Sequence, residues 1–340
     1  MVIVTAQQLI ESPQDVRPHI VLLGAGASRA AFPNGDATGQ RLPLMSDLVD
    51  ILGLQPLLDK VGLEVGQGMN FEAIYSQLVS EPKHASVMKE IERRVDEYFS
   101  HLSLPDRATT YDRLLVSLRS TDAMFTFNWD PFLFDAYQRN RDAVPLPEIF
   151  FLHGNVRIGA CPDHDKWGAR NGQCSDCSRL FANAPLLYPV RQKNYSADPY
   201  IRRNWEAAKC LFRDAFTISI FGYGAPDSDV DAIELLRLAW FSRSDRAFEH
   251  IEIIDTADPS ILHDRWKPFT PTSHYHFTKA FEQSRIARWP RRSCESLLYP
   301  MTQGRPCEDF PVPNTDSLAE LQAYAKDIAR HESEPAYVRS

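Results

Sequence analysis

The chain has 340 residues, 44% hydrophobic and 24% charged, a globular composition with room for one large domain or two ordinary ones. Its formal charge of −8 opposes general nucleic-acid binding, which needs a basic face; the short basic stretches SRSDR (242–246) and WPRR (289–292) read as solvated surface. There is no apolar run of about 18 residues for a membrane span and no secretion signal at the start, so a cytoplasmic protein with reduced thiols is expected, without a disulfide between Cys294 and Cys307.

Residues 1–17 read as a short helix or arm. HIVLL (His19–Leu23) is an apolar strand that runs into a tight turn, GAGAS (24–28), with a helix starting near Ser28. Over residues 44–118, apolar residues recur at three- and four-residue spacing, as in FEAIYSQLVS and VMKEIERRVDEYFSHL, which predicts a helical insertion. AMFTFN (123–128) is a strand ending in Asn, and DPFLFDAYQ a helix. EIFFLHG (148–154) is a strand ending in His-Gly. Residues 156–195 form a polar insert containing Cys and His. DPYIRRNWEAAKCLFRDA is a helix with Trp205 and Leu211 inward, and FTISIFGYG (216–224) a strand running into a second Gly turn. SDVDAIELLRLAWFS is a helix opened by Asp, which suits the helix dipole, and HIEIIDTAD (250–258) is another strand. Residues 271–340 hold Pro-rich turns and a final amphipathic helix, SLAELQAYAKDIARH. This alternation predicts an α/β fold: a doubly wound, mostly parallel Rossmann-like sheet within residues 18–270, with two excursions. One is the helical insertion; the other is a small Cys/His zinc-ribbon-like insert. A C-terminal helical extension follows.

In such a sheet, ligands bind at the carboxyl ends of strands. The first Gly turn allows close backbone approach, and the helix after it offers free N–H groups to a phosphate. A dehydrogenase has a third Gly where Arg29 stands and an acidic residue ending a second strand about 20 residues on. Asp47 and Asp50 lie near that distance but inside a helical pattern. The turn supports a dinucleotide without supporting hydride transfer. Asn128 and Asp130 suit the cap of a helix opening at Pro131, and also the positioning of a water or ribose hydroxyl beside developing positive charge. His153, with a pKa near neutral, can take a proton. In the insert, Cys161-x2-His164 and Cys174-x2-Cys177 are two close ligand pairs separated by a short loop, which suits tetrahedral zinc; the alternative is a polar loop with reduced thiols.

The chain resembles the sirtuin superfamily, and more closely the prokaryotic sirtuin-like domains of phage-defence systems. The resemblance rests on GAGAS (24–28), TFNWD (126–130), LHG (152–154) and FGYGAPDSD (221–229), with LLYPVRQKNY and NWEAAK between the last two. It spans about residues 18–260 and implies NAD+ bound across the carboxyl edge of the sheet. By this resemblance Gly24, Ala25, Gly26 and Ser28 hold the pyrophosphate. Asn128 and Asp130 sit at the nicotinamide ribose, and His153 is the catalytic base. Gly222 and its neighbour Tyr223 support the phosphate or adenosine ribose, and Asp255 reaches the ribose hydroxyls. Thr126 and Asp229, within the matched segments, count among the NAD-binding residues.

The insert begins where sirtuins place their zinc ribbon, although His164 departs from the all-Cys pattern. Gly224 stands where relatives carry Ser, and APLLYPVRQKNY replaces the Phe-Gly-Glu segment of the deacylases. The resemblance therefore implies an NAD+ glycohydrolase that depletes NAD+ in antiviral defence. The alternatives are an NAD-dependent protein deacylase or ADP-ribosyltransferase, and a non-catalytic nucleotide sensor. A toxic NAD+ hydrolase needs restraint, so a homo-oligomer, or a regulatory partner chain or phage trigger, is expected. The helical block 44–118 and the final helix are the candidate contact surfaces.

Overall fold

The structure is a computed structural model that describes residues 2–63, 69–190, 193–243, 250–269 and 275–332. Arg191 and Gln192 of the YPVRQKNY segment, and residues 244–246 of the SRSDR stretch, lie outside the described residues.

The described residues form nine strands: β1 (His19–Leu23), β2 (Ala123–Thr126), β3 (Glu148–Phe151), β4 (Ile158–Ala160), β5 (Trp167–Ala169), β6 (Ala182–Asn183), β7 (Thr217–Phe221), β8 (Ile251–Ile254) and β9 (Tyr275–Thr278). Six of them form one sheet in the order β3-β2-β1-β7-β8-β9, with every pair parallel. Counted in chain order these six read 3-2-1-4-5-6, the doubly wound dinucleotide-binding order. The order reverses between β1 and β7, and the crevice at that switch point is where such sheets bind ligands. Every residue of β1 and β7 is buried, because central parallel strands are covered on both faces. The β9 strand was not apparent from the sequence. It is a four-residue edge strand, YHFT, with an exposed His276 and no apolar run, so the sheet extends beyond residue 270.

The predicted helical insertion is present between β1 and β2, with five α-helices among its described residues, from Leu48–Ile51 to Thr110–Val116. Their apolar stripes face inward: Leu58, Phe71, Ile74, Ile91 and Val95 all belong to the common core. In the final helix, Leu318–Ala329, Leu321, Ala325 and Ile328 are likewise buried. These stripes are therefore intramolecular packing rather than open contact surface. Helix Pro199–Asp214 covers β3, with Trp205 and Leu211 inward as expected, and Trp205 Nε1 donates to the Leu152 carbonyl at 3.0 Å.

WPRR is not solvated surface. Arg291 and Arg292 are fully buried. Arg291 donates to the Leu118 carbonyl (2.7 Å) and Arg292 to the Leu9 carbonyl (2.9 Å), and both pair with Glu332. Backbone carbonyls and one carboxylate replace the water these guanidinium groups lost.

Candidate active site at the carboxyl edge

The two Gly turns meet at the switch point. Gly24 N–H donates to the Phe221 carbonyl (3.0 Å) and Gly26 N–H to the Gly222 carbonyl (2.8 Å). A Cβ on Gly24 or Gly26 would lie 2.6–2.7 Å from the Gly222 carbonyl oxygen, and one on Gly222, at φ +59°, would lie 2.1 Å from the Ala27 nitrogen. Glycine is needed here so that two backbones can touch. The amides of Gly24 and Gly26, expected at a pyrophosphate, are thus bonded to the β7 turn. Ala25 opens the helix Ala25–Ala31, so its N–H has no acceptor within the helix, and the residue lines the cleft.

Ser28, Asn128 and Asp130 form one buried network. Ser28 Oγ donates to Asp130 Oδ2 at 2.5 Å, and Asn128 Nδ2 donates to the Gly24 carbonyl (2.9 Å) and to Ser28 Oγ (3.1 Å). Asn128 Oδ1 accepts no hydrogen bond among the described residues. Asp130 Oδ1 accepts from Phe132 N–H at 3.2 Å, so its carboxyl group also serves the start of helix Phe132–Asn140. Burial without a cation pushes the Asp130 carboxyl up to about 6, against the hydrogen bonds from Ser28 and Phe132. Tyr111, a member of this network that the sequence did not reveal, has its hydroxyl 2.6 Å from Ser28 Oγ.

A second cluster surrounds His153, which ends the β3 segment. Burial lowers its imidazole to about 4, well below the near-neutral value expected of it, with the Lys193 charge acting the same way and Asp229 opposing. Nε2 is buried with no hydrogen-bond partner, 3.6 Å from Asp229 Oδ1. The ring packs edge-on against Phe127, which in turn stacks on Tyr223 with centroids 4.3 Å apart.

As expected, an Asp stands at the start of the following helix: Asp229 is the N-cap of Val230–Trp240, after a single 3₁₀ turn, and Asp231 lies in the first turn, but the Asp229 side chain makes no cap bond. The Asp229 carboxylate turns inward. Lys193 Nζ donates to Oδ1 at 2.5 Å and Tyr223 Oη donates to Oδ2 at 2.7 Å. Burial pushes this carboxyl up, yet the His153 and Lys193 charges and these two donors hold it below the usual carboxylate range.

These groups share a cleft. Its outer part, about 880 Å³, is lined by Gly24, Ala25, Gly26, Gly222 and Tyr223, and at the far end by Asp255 with Arg265 and Lys279. It contains Asn128, His153 and Asp229, and these three also line an inner chamber of about 60 Å³ with Ser28, Trp129, Asp130 and Lys193. Thr126 lines neither part; its hydroxyl accepts Asn128 N–H at 2.9 Å and fixes the turn. Asp255 Oδ1 accepts Ala257 N–H at 2.9 Å.

The insert carries a four-ligand cluster. Cys161 Sγ lies 3.4 Å from His164 Nδ1 and 3.7 Å from Cys177 Sγ, and Cys174 Sγ lies 3.8 Å from His164 Nδ1. All four ligand atoms fall within 4.8 Å of one another. Tetrahedral zinc with Zn–S of about 2.3 Å implies sulfur separations of about 3.8 Å, so the residues fit the ion, with His164 as one donor. The insert returns beside the site: Leu187 N–H donates to the His153 carbonyl at 2.9 Å, and Gly154 at φ +80° lies against the Pro185 carbonyl.

No family model matches the sequence, and no curated protein matches it. Solved structures do. A mutant Sir2 homologue in complex with ADP-ribose is 14% identical, with 86% of this chain and 96% of that chain covered and a TM-score of 0.45. A Sir2 homologue–NAD complex is 13% identical, with 87% and 94% covered and a TM-score of 0.40. A Sir2 protein with an inhibitor, 2′-O-acetyl-ADP-ribose and a deacetylated peptide is 13% identical, with 85% and 94% covered and a TM-score of 0.37.

Proposed function

We propose that this chain is a sirtuin-like enzyme that binds NAD+ across the carboxyl edge of its sheet and hydrolyses it to nicotinamide and ADP-ribose. The observation that carries this reading is the meeting of Asn128 and His153 in one cleft at the switch point, with Asp130 beside them in the inner chamber. The outer volume of about 880 Å³ suits an extended ligand. The Ala25 amide, at a helix N-terminus, takes the pyrophosphate, and Asp255 takes the adenosine ribose.

The chemistry asks little of acid catalysis. The C1′–N bond breaks, and its electron pair returns to the pyridine nitrogen, so nicotinamide leaves neutral. Water oxygen bonds to C1′. Asn128 Oδ1, free of other partners, orients that water or a ribose hydroxyl, and neutral His153 takes the released proton before passing it to solvent. Asp130 stabilises the positive charge on ring and ribose; a cation beside it favours its ionised form. Zinc, held by Cys161, His164, Cys174 and Cys177, is structural: four protein ligands leave no open coordination position.

Full-length protein incubated with NAD+ and analysed by chromatography is expected to yield nicotinamide and ADP-ribose in equal amounts. The His153→Ala variant is expected to lose roughly 10²–10⁴-fold in rate while melting like the parent. A folded variant with parental turnover removes His153 as the base. Consumption of an acylated peptide with NAD+ selects the deacylase, and binding without turnover selects a sensor.

A further inference from the structure

Lys193 sits in the polar insert, within LLYPVRQKNY, and is not among the site residues expected from the sequence, yet its side chain is 98% shielded, at 2% exposure. Its ammonium donates to Asp229 Oδ1 (2.5 Å) and to the Ser228 carbonyl (2.7 Å). Tyr223 occupies the other carboxylate oxygen. His153 Nε2 points toward the oxygen that Lys193 holds, but at 3.6 Å it lies beyond hydrogen-bond reach and has no partner. Two nitrogens thus compete for one oxygen, and the ammonium has it.

A carboxylate in contact with an imidazole draws it toward the protonated form, which cannot act as a base. We propose that Lys193 is a positioning residue that keeps Asp229 from binding His153, and so keeps the imidazole neutral. The reading of His153 as a base rests on the proposed NAD+ cleavage; the competition for Asp229 does not. The groups facing the ring are Asp229 and Lys193 at its Nε2 side, the Tyr195 ring stacked at 6.3 Å, Tyr223 beyond Phe127, and Glu72 and Asp130 on the walls of the same chamber. Among the described residues, only the Lys193–Asp229 pair places an ion at Nε2. Burial does most to depress the imidazole; beside it Asp229 raises the imidazole and Lys193 lowers it, so the two ions act on the ring in opposite senses.

The test is an NMR titration of the histidine rings in ligand-free, full-length protein, with the His153 signal assigned by its loss in His153→Ala. In Lys193→Met the His153 midpoint is expected to rise by about one pH unit or more. Lys193→Arg keeps the charge and is expected to stay at the parental midpoint. Lys193→Met combined with Asp229→Asn is expected to fall back toward it. A Lys193→Met protein that melts cooperatively with an unmoved His153 midpoint overturns the proposal. If that variant does not fold, Lys193→Gln gives the same reading. Rate profiles for NAD+ cleavage separate the two ideas. An acid limb that moves with the imidazole supports both; an imidazole that moves alone supports Lys193 and removes His153 as the base.

Discussion

Two carboxylates in this cleft are driven in opposite directions. Asp229 has a cation and a phenol on its oxygens and is held low; Asp130 has a serine, a backbone amide and no cation, and is pushed up to about 6. Unfolded, Asp130 ionises near 3.9. The folded state holds its proton more tightly, so the stability this group lends is present below about pH 4 and is lost as the pH rises through 6. Asparagine stays neutral throughout. Asp130→Asn is therefore expected to be about 3 kcal/mol more stable than the parent at pH 8, and about equal at pH 4, by urea denaturation. An equal difference at both pH values would show that Asp130 ionises normally. The same variant is expected to cleave NAD+ more slowly, because a neutral amide does not stabilise the cation.

Asn128, Asp130 and His153 could be picked out in the sequence because each follows an apolar run, where parallel strands end. Tyr111 and Lys193 could not. Tyr111 sits in a helical pattern 83 residues from Ser28, and Lys193 lies in a polar loop 36 residues from Asp229. Their chemistry comes from tertiary contact alone.

Among the elements, the Gly turns were readable as turns, but not for the partner they serve. Their close approach to Gly222 joins segments nearly 200 residues apart, and no local pattern encodes it. The cysteine insert was more legible, since ligand spacing is local. Its strands β4, β5 and β6 hold only two or three residues each, too few to be stable alone. Zinc held by Cys161, His164, Cys174 and Cys177 would supply the missing constraint. Because Leu187 on the returning chain bonds the His153 carbonyl, the knot also steadies the proposed base. Purified protein is expected to carry one zinc per chain. Cys174→Ser is expected to lose it, to melt about 5–10 °C lower, and to lose NAD+ cleavage without any change in the cleft residues. Zinc-free protein with parental melting and rate would exclude a metal from the insert.

At the scale of the whole molecule, the chain works from two opposite edges of one sheet. The carboxyl edge is kept open, with an unpartnered imidazole and an amide oxygen facing the cleft. The amino edge is clamped shut. Arg291 binds the carbonyls of Leu118 and Pro145, just ahead of β2 and β3, and Arg292 binds those of Leu9 and Ile10 in the N-terminal arm. The arm also pairs with the C-terminal segment, through Val4 N–H on the Pro306 carbonyl at 2.9 Å. Short basic runs are normally solvated, so WPRR gave no hint of this. The carbonyls of Leu118, Pro145, Leu9 and Ile10 that help satisfy it lie 146–283 residues away. Among the described residues, Glu332 is the one carboxylate bonded to both guanidinium groups. Removing one partner of a buried ion pair leaves an uncompensated charge, at about 3–5 kcal/mol. Glu332→Ala is therefore expected to lower stability by that amount in denaturant titrations, with Glu332→Gln intermediate because it keeps an acceptor. Both variants are expected to retain the parental KM for NAD+ below their melting range, since the clamp touches no residue of the cleft. A shifted KM in a folded Glu332→Ala protein would mean instead that the amino-edge clamp sets the geometry of β1 and β7 at their far ends, and so of the two Gly turns that meet there.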